Sequence, residues 1–528
     1  MKILTWNING IRAVTGKTGV KKMLDSLDAH VVCLQETKVT RDMLDEPTAI
    51  VDGYESYFSF SRKRTGYSGT ANYCSRLCTP VRAEEGLTGR LQVDEETSVG
   101  CFGNTNAYSE KDLEALDAEG RCVITQHRLR LKDGVEKEVA IINVYVPRAG
   151  DRPDRLEYKL RFLTLLQNRA QALLREHIHV IILGDLNLTH TAKDNCDPKS
   201  DADFLRRSSR VWINNLLRPC ERDPNIASSH PDLDAVALRQ TDETLLFSDA
   251  YRYLHPEEST GYTNWDTSTD ARKSNYGRRL DYILVDTGLA GHVIDCRILT
   301  EVEGSDHCPV VVTLDCQPLP CTATSPPQLC SKLMPEFRGQ QQKLSSFFTK
   351  TAQASLMSFF APKTASSTNR DCEPLISSRS SDASNEVIPQ EDCEVLVCLD
   401  DQDPVTTNCN IPNPSSNCDE IEKASLSQGD TDKQIEDNAN STRLPLVSSQ
   451  EGKKNSSSSQ SWKSLLCGPA PPPLCPGHKE PCVLKTVRKN GPNKNKQFYS
   501  CPRPDGPPGN TQFRCNFFQW LHDWHKKK

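Results

Sequence analysis

Polar side chains stand at the ends of apolar runs at six places in the first 307 residues, and their types suit phosphate chemistry. The apolar run 180–183, directly before Asp185, has the composition of a buried strand. Because sheet proteins bind ligands in the crevice at the carboxyl ends of such strands, these side chains are expected to converge there. Carboxylate and amide oxygens beside one histidine favour a hard cation acting on phosphate. The residues are Asn7 and Asn9, Glu36, Tyr145, Asp185 and Asn187, Asp281, and Asp306 and His307.

All of these residues except Asn9 match, in order and context, motifs of the exonuclease III-like AP endonucleases, which the chain resembles over residues 1–316. A lone aspartate after a strand is usually a turn or a helix cap, but six ordered motifs are far more specific than one. The resemblance places the chain in the endonuclease/exonuclease/phosphatase superfamily. It implies an α/β (α+β) catalytic domain, a two-sheet sandwich flanked by helices.

Hydrolysis of a phosphodiester requires an attacking water, neutralisation of the phosphate charge and help for the leaving oxygen. Glu36 is the strongest candidate for a metal ligand, followed by Asp306 and by the pair Asn7 and Asn9. Mg²⁺ suits these oxygen ligands because few carboxylates hold it and it keeps waters of its own. Mn²⁺ accepts the same kind of ligands.

The remaining site residues are candidates for handling protons and phosphate. Asp185 is the predicted acceptor of the water's proton, and Asn187 is predicted to orient that water. His307 is predicted to hold the phosphate as a cation, with Asp281 orienting its ring and raising its pKa. Tyr145 is the candidate donor to a phosphate oxygen or to the leaving group. The sequence leaves the roles of Asp185, His307 and Tyr145 open, and Asp185, Asn187 and His307 are also candidate metal ligands.

Three residues depart from the pattern of relatives specialised for abasic sites. Asn264 and Arg278 stand where those relatives carry aromatics that line the pocket for the extrahelical sugar, and Arg148 stands where they commonly carry asparagine. A less apolar pocket grips a flipped-out sugar less well. The resemblance with these departures favours work at 3′ ends over strong incision at abasic sites.

Charge and cysteine content divide the chain of 528 residues. Residues 371–440 hold 17 acidic and 3 basic side chains, net −14, whereas residues 475–528 hold 11 basic and 3 acidic ones, net +8. The basic end is therefore the expected site of nucleic-acid binding. With no signal-peptide pattern and no apolar run of membrane-spanning length, the 22 Cys are interpreted as reduced intracellular thiols, a few of them reserved for metal.

Three regions follow from composition: a catalytic domain at 1–316, a linker at 317–473 and a zinc module at 474–528. The linker is rich in Ser, Asn, Pro, Asp and Glu, so it is predicted to be disordered.

Within the catalytic domain, an amphipathic helix is predicted where leucines recur at helical spacing, at Leu156, Leu160, Leu163, Leu166 and Leu173. The polar stretches 84–120 and 189–203 are candidate loops facing the substrate. Strands are predicted at 1–8, 30–35, 54–60, 122–127, 139–146, 180–183, 280–285 and 309–314.

The linker repeats a motif that resembles peptides bound by the sliding clamp, PCNA. Segments 341–348 and 353–360 both fit the pattern Q-x-x-L-x-x-F-F, whose leucine and aromatics form a plug on one short helical turn. Chance apolar residues are the alternative, but paired aromatics twice within 20 residues are rare in such chain. The residues are Gln341, Leu344, Phe347 and Phe348, and Gln353, Leu356, Phe359 and Phe360.

A second linker motif is an apolar run at 395–399 followed by Asp400, Asp401 and Asp403. This arrangement resembles a SUMO-interacting motif, which adds an edge strand to its partner. An apolar patch without a partner is an equally good interpretation of so weak a pattern.

The C-terminal region offers four zinc ligands, Cys475, His478, Cys501 and Cys515, with Cys482 as a competitor to His478. Four N and S ligands suit tetrahedral structural zinc, which so small a unit needs for stability. Residues 498–502 and 515–520 resemble a GRF-type zinc finger, although the Gly-Arg-Phe signature reads Lys-Gln-Phe at 496–498.

Aromatic and basic residues alternate in this zinc module, a composition typical of single-stranded DNA binding. Rings stack on bases while cations follow the phosphates. A protein-binding module whose charges only keep it solvated is the alternative. The candidate DNA contacts are Lys485, Arg488, Lys489, Lys496, Arg503 and Phe498.

The resemblance as a whole implies a nuclear, Mg²⁺-dependent DNA repair nuclease with 3′–5′ exonuclease, 3′-phosphodiesterase and weak AP endonuclease activity, acting in base excision repair. Its expected partners are DNA with 3′ ends or abasic sites, the clamp and SUMO-modified proteins. No membrane association is expected, and the sequence does not show whether part of the protein is mitochondrial. Because fold alone does not fix substrate, a phosphoinositide phosphatase is one alternative. A catalytically weak scaffold that recruits repair or checkpoint proteins to single-stranded DNA is another.

Overall fold

Two β-sheets packed face to face form the centre of the N-terminal fold. The computed structural model describes residues 1–16, 18–150, 152–197, 206–231, 242–338, 471–488 and 491–526. Its N-terminal strands are β1 (Lys2–Asn7), β2 (Val31–Gln35), β3 (Tyr54–Ser59), β4 (Thr70–Ser75), β5 (Arg82–Glu85), β6 (Cys122–Leu131), β7 (Glu136–Tyr145), β8 (His179–Asp185), β9 (Phe247–Asp249), β10 (Asn264–Trp265), β11 (Gly277–Arg278), β12 (Asp281–Asp286), β13 (Val293–Ile298), β14 (Val310–Leu314) and β15 (Cys316–Leu319).

Helices cover the outer faces of both sheets. The described helices of this fold are α1 (Ile11–Thr15), α2 (Val20–Leu27), α3 (Glu46–Ala49), α4 (Glu110–Asp117), α5 (Pro153–Arg175), α6 (Ser208–Leu216), α7 (Ala250–Leu254) and α8 (Thr287–Ala290). One sheet has the order β13-β14-β1-β2-β4-β3 and the other β15-β6-β7-β8-β12-β9, with β5 paired to β6. The structure thus confirms the predicted fold class, a two-sheet sandwich flanked by helices.

Three apolar layers hold the sandwich together. The central layer, between the sheets, includes Ile3, Val31 and Ile181, all without solvent exposure. An outer layer joins α2 to the first sheet, and the other joins α5 to the second. Strands buried on both faces read as continuous apolar runs, which is why β8 was predictable. Helix α5 begins at Pro153, a residue suited to the first helical turn, and turns its leucines inward.

Parallel pairing brings the functional strand ends to one edge of the sandwich. β1 pairs in parallel with β2, and β7 pairs in parallel with β8, so the carboxyl ends of all four lie together. β12 runs antiparallel to β8 with Asp281 opposite Asp185. Gly184 sits at φ +134°, and a Cβ there would lie 1.9 Å from the Val144 carbonyl oxygen. Only glycine therefore allows β7 and β8 to approach so closely before Asp185.

All eight predicted strands and the predicted helix are present. The strands of this fold that were not predicted are β4, β5, β9, β10, β11, β13 and β15. The stretch 84–120 is not a substrate-facing loop: Glu84 is fully buried against Arg169 of α5, and Leu113 belongs to the apolar layer beneath α5. Segments 341–348, 353–360 and 395–399 lie outside the described residues. Within the described ranges, no helix is both long and apolar enough to cross a membrane.

The catalytic fold continues beyond the predicted boundary at residue 316. β15 pairs with β6, and the chain then returns to the first sheet, where Cys330 is fully buried and bridges to Tyr57. Met334 is also buried, and Glu336 forms an ion pair with Arg41 at 2.8 Å. This segment was not predicted to belong to the fold, because its few apolar residues are spread among Pro and Ser. The folded part therefore extends to residue 338.

The C-terminal module is a small sheet of β16 (Val483–Thr486), β17 (Gln497–Ser500) and β18 (Phe518–Trp520), followed by α9 (Leu521–Lys526). Its strands are all antiparallel. Its buried cluster consists of Cys475, Cys482, Tyr499 and Cys501. So little apolar surface cannot stabilise the unit without a staple.

We expect a protein ending at residue 316 to be much less stable than one ending at residue 338. The shorter chain loses the burial of Leu329, Cys330 and Met334, on the order of 5 kcal/mol of apolar transfer free energy. Thermal unfolding followed by circular dichroism measures the difference. Glu336→Gln in the longer chain is the control and should change stability little, because an exposed ion pair contributes little. Equal melting temperatures for the two lengths would contradict the extended boundary.

Candidate active site and zinc centre

The sandwich edge collects the predicted catalytic residues. Asn7, Tyr145 and Asp185 end their strands, Asp281 begins β12, and Glu36 directly follows β2. Asn9, Glu36 and Asn187 all adopt left-handed backbone with φ between +49° and +52°. Such conformations are uncommon outside glycine and cluster at functional sites. Asp306 and His307 precede β14, and His307 is 5 % exposed.

Asn7 links two carboxylates at the centre of this site. Its side-chain amide donates to Asp185 Oδ2 at 2.9 Å and to Glu36 Oε1 at 3.1 Å. Its Oδ1 accepts from the backbone N–H of Asn9 at 3.1 Å. Asn7 is thus a buried bridge with partners on both polar atoms. Its predicted role as a metal ligand remains a prediction.

Asp185 and Asn187 form a closed turn after β8. The Asn187 N–H donates to Asp185 Oδ1 at 2.8 Å, and its side-chain amide donates to Val146 O at 3.0 Å and to Asp185 Oδ2 at 3.1 Å. Burial raises the pKa of Asp185, while the nearby His307 opposes that rise. A carboxylate with a raised pKa and fixed hydrogen bonds can accept a proton from water.

His307 and Asp281 form a buried pair facing Asp185. His307 Nδ1 lies 2.8 Å from Asp281 Oδ2, and Nε2 lies 3.9 Å from Asp185 Oδ2. The Thr263 hydroxyl donates to the same Asp281 oxygen at 2.6 Å. Burial disfavours the imidazolium, but the carboxylates of Asp281, Asp185 and Asp306 outweigh it and raise the pKa of His307. A raised pKa favours the cationic ring, which is the form that its predicted role requires.

Two cations that were not predicted from the sequence contact Glu36 and Tyr145. Lys38 Nζ lies 2.9 Å from Glu36 Oε2 and also contacts Asn9 Oδ1. The Arg121 guanidinium lies 4.6 Å from the centroid of the Tyr145 ring and donates to the Tyr145 carbonyl oxygen at 2.8 Å. The Tyr145 hydroxyl lies against the Glu36 carboxylate. Lys38 lies two residues after Glu36, and Arg121 lies directly before β6. These positions were the signals in the sequence that could have identified the two residues.

The oxygen donors suit a cation that keeps much of its water. Glu36 is 20 % exposed, and Asp306 Oδ1 accepts from Asn9 Nδ2 at 2.7 Å. Among the described residues, Asp, Glu, His and Cys ligand atoms cluster in threes or more only in the C-terminal module. A loosely ligated hard cation, held by one or two carboxylates, fits this donor set.

The residues that replace the expected aromatics border His307. Asn264 and Arg278 are register partners across β10 and β11, and Asn264 also bridges to His307. The Asn264 amide donates to Asp306 O at 3.3 Å. Arg278 is exposed, so this wall is polar. Arg148 lies elsewhere, in a cavity of about 400 Å³ lined by Tyr67, Arg121, Tyr145 and Arg155 among others.

The C-terminal module brings four metal-binding atoms together. The ligand atoms of Cys475, His478, Cys501 and Cys515 all lie within 4.8 Å of one another. His478 Nδ1 lies 3.5 Å from Cys475 Sγ and 3.3 Å from Cys501 Sγ, near the separation of about 3.6 Å in a tetrahedral zinc site. His478 Nε2 lies 2.9 Å from Thr511 O, which fixes the tautomer for binding through Nδ1. Cys482 is not part of this cluster.

An aromatic surface covers the sheet of the zinc module. Phe498 stands opposite Trp520 in the register, and Phe518, 49 % exposed, lies 4.8 Å from Phe498 between ring centroids. Lys496 Nζ lies 5.9 Å from the Trp520 centroid. One exposed ring, two half-buried rings and a neighbouring lysine suit stacking with bases.

The other predicted DNA contacts differ in their surroundings. Arg503 is held by Glu480 at 2.5 Å and by carbonyl oxygens of the 511–512 turn. Lys485 donates to the Ser268 carbonyl oxygen at 2.5 Å, whereas Lys489 lies outside the described residues. Arg488 is exposed. Lys496 and Phe498 therefore have the surroundings that suit DNA binding best, since both lie at the aromatic surface. All six DNA contacts remain predictions.

Comparisons with known proteins agree with both sites. Residues 4–307 match the model of the Endonuclease/Exonuclease/phosphatase family, and residues 473–523 match the GRF zinc finger. DNA-(apurinic or apyrimidinic site) endonuclease 2 of Xenopus laevis is 44% identical over 99% of this chain and 98% of its own. The Homo sapiens protein of that name is 38% identical, with 98% and 99% covered. The crystal structure of the Xenopus laevis APE2 catalytic domain is 49% identical, with TM-score 0.57, over 65% of this chain and 100% of that one.

We expect Cys501→Ser to release bound zinc and unfold the module, because metal binding supplies much of the folding free energy of such units. Lys496→Ala should keep zinc and instead weaken binding to single-stranded DNA, with a smaller salt dependence. Zinc content by elemental analysis and fluorescence anisotropy with an oligonucleotide measure the two effects. Full zinc content in Cys501→Ser would exclude this residue as a ligand. Cys482→Ser is the matched control and should keep its zinc.

Proposed function

The chain belongs to the endonuclease/exonuclease/phosphatase family, and we propose that it is a DNA repair nuclease that shortens 3′ ends and removes blocking groups from them. The observation that carries the proposal is the buried Asp185, bridged by Asn7 to Glu36 and facing the His307–Asp281 pair. The names of the full-length relatives support DNA with abasic sites as a further substrate. The polar residues Asn264 and Arg278 are our reason for proposing that it is the weaker one. The activities proposed are 3′–5′ exonuclease, 3′-phosphodiesterase and weak AP endonuclease.

The site's own residues divide the work of hydrolysis. Asp185 accepts the proton of the attacking water, and Asn187 orients that water. The His307 cation neutralises charge on the phosphate, and Asp281 keeps its ring protonated and aligned. Tyr145 donates its hydroxyl proton toward the leaving oxygen, held in place by Arg121.

Mg²⁺, with Mn²⁺ as a substitute, is the proposed cofactor of the nuclease site, where Glu36, Asp306 and Asn9 would hold it. When bound, it supplies positive charge to the phosphate oxygens. Lys38 occupies this side of Glu36 in the structure and compensates its charge. Zn²⁺ is proposed for the C-terminal centre as a structural ion only.

The remaining parts of the chain are proposed to hold substrate and partners. The zinc module, with its aromatic surface and basic composition, binds single-stranded DNA. The repeats at 341–348 and 353–360 bind the clamp PCNA, and the run 395–399 contacts SUMO-modified proteins. A nuclear location is proposed as well, since the full-length relatives are named as endonucleases that act on DNA.

We expect Asp185→Asn to lower 3′–5′ digestion by at least about a hundredfold, since the amide cannot accept the water's proton. The substrate is a duplex with a recessed 3′ end, assayed with and without Mg²⁺. Asp315→Asn, the same change at an exposed surface pair, should digest like the natural protein. Digestion by folded Asp185→Asn at the natural rate would remove Asp185 from the mechanism.

Incision at an abasic site should be much slower than 3′-end resection by the same preparation, because Asn264 and Arg278 make the pocket wall polar. Replacing both with aromatics, Asn264→Phe and Arg278→Trp, should raise incision relative to resection. Lys273→Trp, an exposed position near this wall, controls for adding a ring. Equal rates on both substrates in the natural protein would refute the pocket argument.

A further inference from the structure

Lys159 is a buried cation that the proposed mechanism does not use. It lies on α5, 3 % exposed, in a stretch whose neighbours Leu160 and Leu163 belong to the apolar layer beneath the helix. Among the residues that the structure describes, the one hydrogen-bond acceptor of its Nζ is the Asn187 carbonyl oxygen, at 2.7 Å. The side chain therefore reaches from the helical layer to the turn that follows β8.

An ammonium group at such a position works against stability. Removing a charge from water is unfavourable unless strong partners compensate it, and a leucine or methionine would suit the apolar layer better. Burial lowers the pKa of Lys159 to about 7, and the Asp185 carboxylate opposes that fall. Both the ammonium and the amine carry N–H groups, so the contact with the carbonyl exists in either form. A methionine, in contrast, has no N–H group with which to hold the Asn187 carbonyl oxygen.

With Lys159 in place, almost every polar atom of Asn187 has a hydrogen-bond partner. Its N–H is bound by Asp185, and its side-chain N–H groups are bound by Val146 and Asp185. Lys159 binds its carbonyl oxygen, and its backbone is in the left-handed region at φ +49°. Within the described residues, only Asn187 Oδ1 remains without a donor. This oxygen is the atom able to accept a hydrogen bond from a water beside Asp185.

We propose that Lys159 is a positioning residue for phosphodiester hydrolysis, which it serves by holding the Asn187 carbonyl so that Asn187 Oδ1 orients the attacking water. The inference rests on the proposed nuclease function and deepens it. Without the lysine, the 185–187 turn keeps its internal hydrogen bonds but loses its tie to α5. A misplacement of about 1 Å at such a site is enough to lower the rate on the order of 100-fold. Because Asn187 orients water and does not hold the DNA in this proposal, substrate binding should stay intact.

The test compares Lys159→Met and Lys159→Arg in the full-length protein, on a duplex with a recessed 3′ end and Mg²⁺. Lys159→Met keeps the shape without a donor, and its kcat should fall by about 10- to 100-fold with KM within twofold. Lys159→Arg keeps the N–H donors and should recover a substantial part of kcat. Because the buried charge is gone, Lys159→Met should melt no lower than the natural protein.

Arg169→Met is the matched control on the same helix. Arg169 is fully buried in an ion pair with Glu84 at 2.9 Å and lies about 15 Å from Lys159 along the axis of α5. Its loss leaves Glu84 unpaired, so the melting temperature should fall while kcat per folded molecule stays unchanged.

Each outcome decides the proposal. A natural kcat in Lys159→Met, a failure of that variant to fold, or a loss confined to KM overturns the positioning role. So does an Arg variant no better than the Met variant. If the natural protein itself cleaves no DNA phosphodiester, the proposed nuclease function fails, and that result is distinguishable from all of these.

Discussion

The arrangement of the active site depends on a pair of buried amides that join the two sheets. Gln35 ends β2 in one sheet, Asn143 lies near the end of β7 in the other, and both are completely buried. The Gln35 amide donates to Asn143 Oδ1 at 2.7 Å. The Asn143 amide in turn donates to Asn72 Oδ1 at 2.8 Å and to backbone oxygens of the first sheet. Apolar contact between sheets resists sliding weakly, whereas these directional bonds fix one register.

That register determines which side chains meet. Glu36 directly follows Gln35, and Tyr145 lies two residues beyond Asn143, so the amide pair sets the distance between the two functional residues. Asn7 then joins Glu36 to Asp185 across the same gap. A shift of one residue in the pairing of a strand would turn all of its side chains to the opposite face. The polar pair therefore provides specificity that the apolar layers alone do not.

Electrostatic compensation is the second constraint on the site. Each carboxylate has a cation or an amide within hydrogen-bonding range: Glu36 has Lys38, and Asp281 has His307. Asp185 is met mainly by neutral amide donors, with His307 at 3.9 Å. Burial raises the pKa of Asp185, although His307 and the hydrogen bonds from Asn7 and Asn187 oppose the rise. A raised pKa suits a group that must accept a proton. The zinc module relies on a different principle, since metal ligands replace a core too small to fold alone.

The sequence by itself determined eight of the strands, helix α5, the candidate catalytic set and the four candidate zinc ligands. These features are local: apolar runs and periodicity report burial, and short motifs report chemistry at fixed spacing. Segments with weak local signals, such as β4 and the 317–338 return, were missed because their burial depends on partners far along the chain.

Only the tertiary structure decided which residues touch. It made Asn7 a bridge, brought Lys38 and Arg121 into the site, and aimed Lys159 of α5 at Asn187. Lys159 reads in the sequence as one polar residue on an amphipathic helix. Its role follows from a contact across 28 residues that no periodicity encodes. Side-chain type is a property of the sequence, but the partner of a side chain is set by the packing of distant elements.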